Sequence, residues 1–165
     1  MANFYVAGPF EVPVTKGKGG KIIGSQDIKA FWASNSDFAA ERGCYIFAFR
    51  ASKGFKPIYI GKTTKSFKQE AFTSHKLSKY AMGFSEQKRG TAVMFFVCAE
   101  RNRGRVNAVA IDELESFLIQ SGVDANPNLA NDRKTEIEAW TVSGLVRSRG
   151  KPSSAASALR KCLSL

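Results

Sequence analysis

Nothing in this sequence approaches the roughly 20 consecutive apolar residues that a membrane-crossing helix needs, so no transmembrane segment is expected. The opening "MANFYVAGPFEVPV" lacks a basic start followed by an apolar block; no secretory signal is expected, and the cytoplasm is the expected location. Histidine occurs once, at His75, and cysteine only at Cys44, Cys98 and Cys162, with no C-x-x-C pair. That set is too thin for a zinc site, and an odd number of distant cysteines argues against a disulfide framework. Cys44 and Cys98 read as buried strand residues. Acids are scarce as well: 14 Asp and Glu face 25 Lys and Arg, a formal net charge of +11. Such an excess favours polyanionic partners, because cations that bind a phosphate backbone release its counterions.

The positive charge gathers towards both ends. "TKGKGGK" carries Lys16, Lys18 and Lys21 with no acid nearby, and the tail from Trp140 onward holds Arg147, Arg149 and Lys151 with no acid at all. A solvated basic surface is the plain reading; a nucleic-acid footprint is the functional one. In between, 165 residues with 44% hydrophobic content suit one domain able to bury about two thirds of its unfolded surface.

The coarse pattern predicts an α+β domain. Short strands are expected at "FEVPV" and "KII", and a helix from Ser25 or Asp27 through "IKAFWA". A hairpin joins Cys44–Arg50 to Pro57–Gly61 through a loop containing Gly54. Helical turns follow between Ser66 and Tyr80. "TAVMFFVCA" is apolar on both faces and reads as a buried strand. A helix is expected from about Val106 to Ser121, stopped by Gly122, then a loop "NPNLAND", a charged helix from about Asp132, an extended "WTVSGLV", and a last helix from near Ser153.

Within the hairpin, alternation puts Tyr45, Phe47 and Phe49 on one face. Folding about Ser52 and Lys53 predicts Tyr45 opposite Tyr59, give or take one residue. Gly61 ends its strand before Lys62, a layout suited to an anion. A nucleotide-binding P-loop is excluded, since that motif needs glycine where Lys56 stands.

Glu115 is the unusual acid. On the helix "VNAVAIDELESFLI" it falls within the apolar arc of Val106, Ala110, Ile111, Leu114, Phe117 and Leu118, with Asp112, Ser116 and Gln120 assigned to the opposite side. A carboxylate aimed at a core needs a cation or strong hydrogen bonds. A lysine or a hard divalent metal ion meets that need.

Taken together, "GCY" at 43–45, "YIG" at 59–61, Glu115 in "LESFLI" and "PNLAN" ending at Asn131 resemble the GIY-YIG nuclease superfamily. The resemblance covers residues 43–132, leaving 1–42 as an N-terminal extension and 133–165 as a basic C-terminal extension. It implies a small three-stranded antiparallel sheet flanked by helices and a metal-dependent DNA endonuclease using Mg2+ or Mn2+. By position, Tyr45 resembles the tyrosine that helps activate the attacking water, Tyr59 its partner, Glu115 the metal ligand, Asn131 the asparagine that fixes the site, and His75 the helix histidine. The chain departs from the family at its helix arginine: "TTKSFKQEAFTSHK" has none, the position falling on Glu70 or Ala71. Lys62, Lys65 and Lys68 are the nearby cations, although lysine offers a point charge where arginine offers a planar fork. Expected nucleic-acid contacts are Lys16, Lys18, Lys21, Lys65, Lys68, Arg147, Arg149 and Lys151, with DNA ahead of RNA. The alternative is a nucleic-acid-binding module that keeps the fold and has lost cleavage.

Overall fold

A computed structural model describes residues 2–17, 20–52, 54–86, 90–100, 106–135 and 151–163. The expected Lys18, Arg147 and Arg149 contacts, the "WTVSGLV" segment and all but the start of the charged helix lie outside them. Residues 132–135, where that helix was to begin, are not helical. The chain divides into two units, residues 1–135 and 136–165.

In the first unit, β4 (Gly43–Ala51) and β5 (Gly54–Thr63) form the expected hairpin. β6 (Thr91–Ala99) lies along the other side of β4, and β1 (Phe4–Glu11) along β6. All pairings are antiparallel, in the order β1-β6-β4-β5. The sheet therefore has four strands where three were expected. The fourth comes from the supposed N-terminal extension, and earlier than the strand predicted at "FEVPV". Its exposed Tyr5 and Val6 give it the weak pattern of an edge strand.

Central position explains why β4 and β6 are apolar on both faces. On one face Tyr45, Phe47, Phe49, Met94 and Phe96 pack against Phe31 and Trp32 of α1 (Ser25–Ser34), Phe67 of α3 (Phe67–Glu70), and Tyr80 and Phe84 of α4 (Ser74–Glu86). On the other, Cys44 and Val97 meet Ile111 of α5 (Ala108–Ala125), and Ile60 meets Ile119. Burying a large apolar side chain in this way stabilises by about 1.5–3 kcal/mol. The stretch Ser66–Tyr80 is two helices, broken at Ala71–Thr73, where the Tyr80 hydroxyl donates to the Ala71 carbonyl at 2.6 Å. A two-stranded ribbon, β2 (Thr15–Gly17) and β3 (Gly20–Ile22), carries Lys16 and Lys21, and α2 (Ser36–Ala39) follows α1.

Helix α5 runs through Gly122, which does not stop it. A β-carbon there would lie 2.6 Å from Ile60 Cδ1, so the glycine permits close packing of helix on strand. Asn126 ends the helix: buried, it donates from Nδ2 to the Pro57 carbonyl at 2.7 Å and accepts from the Asn128 amide at 3.1 Å. From there the chain runs back along the outer edge of β5.

The second unit contains α6 (Ser154–Leu163), where expected; the Ala156 amide donates to Ser153 Oγ at 3.1 Å, capping its first turn. Lys151, just before this helix, is exposed. Among the described residues, no helix is long and apolar enough to cross a membrane.

Candidate active site

The hairpin register sets the first feature of the site. Tyr45 pairs with Gly61 and Phe47 with Tyr59, so the two tyrosines are diagonal and not opposite. The two-residue loop aligns Ala51 with Gly54 and Ala48 with Pro57, and a bulge at Ile58 then shifts the pairing by one more residue. The rings still meet, with centroids 6.4 Å apart. Tyr45 is fully buried, and its hydroxyl has no hydrogen-bond partner among the described residues. Burial, with the nearby Tyr59, Glu70 and Glu115, pushes its phenol well above the ordinary tyrosine range.

Of the two, Tyr59 is the one at the cleft surface, although only 8% of it is exposed. It lines a cleft of about 560 Å³ with Lys62 from the end of β5, His75 and Lys76 from α4, Asp112, Glu115 and Ile119 from α5, and residues 131–134. The Lys76 ammonium sits 5.5 Å from the Tyr59 ring centroid. Tyr59, Lys62, His75, Glu115 and Asn131, far apart in the chain, thus share one cleft; Tyr45 stands behind its wall.

Asn131 is spent on the backbone of β5. Its Oδ1 accepts from the Ile60 amide at 3.0 Å and its Nδ2 donates to the Ile60 carbonyl at 2.7 Å. With the Ala130 amide donating to the Ile58 carbonyl at 2.8 Å, these bonds close the sheet edge and fix residues 131–134 at the mouth of the cleft.

Glu115 has the cationic partners that its position demands. Its side chain is 14% exposed, with Lys134 Nζ 2.8 Å and Lys62 Nζ 3.3 Å from Oε2. Asp112 binds the same two lysines: Lys134 lies 2.9 Å away, and Lys62 is in direct contact. The assignment of Asp112 to the opposite side of the helix is therefore wrong. Residues three apart lie only about 60° apart around a helix axis, which puts Asp112 beside Glu115. Phe117, counted in the apolar arc, is 64% exposed.

The hydrogen bonds from Lys62 and Lys134 pull the Asp112 carboxyl down to about 2. For Lys134, burial opposes the charge, but the bonds to Glu115 and Asp112 outweigh it and raise the ammonium above the ordinary lysine value. Sequence reasoning missed Asp112, Lys76, Arg133 and Lys134. Only Asp112 carried a signal, its helical spacing from Glu115.

No family model, curated protein or solved structure matches this chain. The remaining sequence expectations rest on geometry. Of the three cations near the missing arginine, only Lys62 lines the cleft. Lys65 and Lys68 border a separate groove of about 440 Å³ with Arg42. Ala71 is buried, leaving Glu70 as the charged group nearest the arginine position. Lys16 and Lys21 lie on the β2–β3 ribbon and line neither the cleft nor that groove, with Lys21 Nζ 3.4 Å from the Gly90 carbonyl oxygen.

Among the described residues no three His, Cys, Asp or Glu side chains form a metal cluster. A magnesium-type ion takes only one or two carboxylates, with water and substrate oxygens completing its shell. The Asp112–Glu115 pair facing an open cleft fits that share, and no paired thiolates or imidazoles would select zinc.

Proposed function

We propose that this chain is a GIY-YIG-type endonuclease that hydrolyses phosphodiester bonds, with DNA as substrate and Mg2+ or Mn2+ as cofactor. What carries the reading is that Tyr59, Lys62, His75, Glu115 and Asn131, singled out in sequence by that resemblance, line one cleft.

Glu115, with Asp112 beside it, would hold the divalent cation, which would supply charge to the phosphoryl oxygens as they become more negative. Lys62, Lys76, Arg133 and Lys134 give the cleft a cationic rim that draws in and orients a phosphate. Tyr59 presents a phenol beside that phosphate. His75 adds an imidazole to the same wall. Tyr45, held as a neutral phenol by burial, is a positioning residue acting through Tyr59; the role of water activation expected for it passes to the groups that reach the cleft. Asn131 keeps the cleft mouth registered on β5.

The test is a nicking assay on supercoiled DNA with Mg2+ or Mn2+, run on the wild type and on Glu115→Gln. Cleavage lost in the variant supports the enzyme; tight DNA binding with no cleavage by either protein supports the binding module. The module reading draws on one observation, that Lys62 and Lys134 already neutralise both carboxylates.

A further inference from the structure

Lys134 is the only non-glycine residue with a positive φ among the described residues, at 63°. A side chain adopts that backbone conformation only at a cost, and here it delivers an ammonium into a nest of oxygens. Lys134 Nζ lies 2.8 Å from Glu115 Oε2, 2.9 Å from Asp112 Oδ1 and 3.4 Å from the Asp112 carbonyl oxygen. Three oxygens converging on one positive atom is how a protein holds a hard cation, and here a tethered lysine is that cation.

We propose that Lys134 is a built-in competitor for the divalent cation at Asp112 and Glu115, and that a bound phosphate backbone draws it off. The inference rests on the cation-binding part of the nuclease reading. An ammonium and a divalent ion cannot share the same carboxylate oxygens a few ångströms apart, because their repulsion grows as their separation shrinks. Cation entry therefore requires Lys134 to swing out, and Lys62, which contacts the same two carboxylates, to give way beside it. The Lys134 backbone stays anchored, since Asn131 is bonded at both ends of its amide to Ile60. The released ammonium remains at the cleft mouth beside Arg133 and Lys76, where an incoming phosphate meets it. Each ligand thus favours the other, as linkage requires, and the empty protein keeps its carboxylates capped.

The experiment is Mn2+ binding followed by electron paramagnetic resonance on the full chain: wild type, Lys134→Met and Glu115→Gln, each with and without a short phosphorothioate duplex. Lys134→Met should bind Mn2+ about tenfold more tightly or better, given the charge removed next to the ion. The duplex should tighten Mn2+ binding to the wild type more than to Lys134→Met. Equal affinity in those two proteins, with binding lost in Glu115→Gln, overturns the competitor and leaves the metal reading intact. No Mn2+ binding by any of the three overturns both. Should Lys134→Met fail to fold, amine-reactive labelling of the wild type decides: Lys134 labels faster with Mn2+ if it is displaced, and an unchanged rate overturns the proposal.

Discussion

Tyr45 lies over Gly61, so close that a β-carbon at position 61 would fall 2.5 Å from its hydroxyl oxygen. The glycine of the "YIG" stretch is thus needed by the tyrosine of the "GCY" stretch, and the two stretches form one packed unit before any chemistry is considered. The buried ring also explains why Tyr45 reaches the cleft only through its neighbour.

Gly61→Ala should overpack this contact and destabilise the fold by about 1–3 kcal/mol. A shift in denaturant midpoint measures it. An unchanged midpoint would mean that the Tyr45 ring moves freely, contrary to its full burial.

Tyr45→Phe removes a buried hydroxyl that has no partner among the described residues, so stability should stay level or rise by about 1 kcal/mol. Cleavage should fall less than in Tyr59→Phe, whose hydroxyl group belongs to a residue lining the cleft. A larger loss in Tyr45→Phe, with the fold intact, would return the chemical role to Tyr45.

Glu115→Gln should lower cleavage at least ~100-fold while the protein stays folded, since Asp112 still engages both lysines. Circular dichroism checks the fold and single-turnover kinetics the rate. Activity within a few fold of wild type would remove Glu115 from the mechanism.

The ion cluster predicts a two-sided pH dependence of stability. The Asp112 pKa is pushed down to about 2, below the roughly 3.9 of an unfolded aspartate, so its contribution is present above that unfolded value and is lost as pH falls towards 2. The Lys134 pKa is raised, so its contribution is present below the unfolded lysine value and is lost as pH rises through the folded one. Melting temperatures from pH 2 to 5 should therefore fall more steeply for wild type than for Asp112→Asn. Parallel curves would show that the cluster adds nothing.

Alanine at Lys65, Lys68 and Arg42 should reduce the salt slope of DNA binding by up to about three while leaving the cleavage step intact, because their groove is separate from the cleft. Lys62→Ala should do the reverse and slow single-turnover cleavage. A slope unchanged by the triple substitution would free that groove from any role in binding.

The parts of this architecture that were legible in sequence are those written in local pattern. Unbroken apolar runs marked β4 and β6, and helical spacing marked α5 and singled out Glu115 as an acid in need of a partner. Longer-range pairing carried no such signal. Nothing in Phe4–Glu11 announces that it joins β6, because an edge strand is held by backbone hydrogen bonds that any residue except proline can make. The loop register alone would set Tyr45 opposite Ile60, and the bulge at Ile58 carried it one residue further, to Gly61; a run of fixed spacing gives no warning of a bulge.

By itself the sequence determined that α5 carries an acid it cannot bury alone, since side-chain direction on a helix follows from position and the cost of a bare charge follows from burial. Only the tertiary structure decided which cations meet that acid. Lys62 and Lys134 stand 53 and 19 residues away along the chain; they arrive through the β4–β5 hairpin and the turn that Asn131 pins to β5, and charges so far apart in sequence become neighbours only once those backbones are packed together.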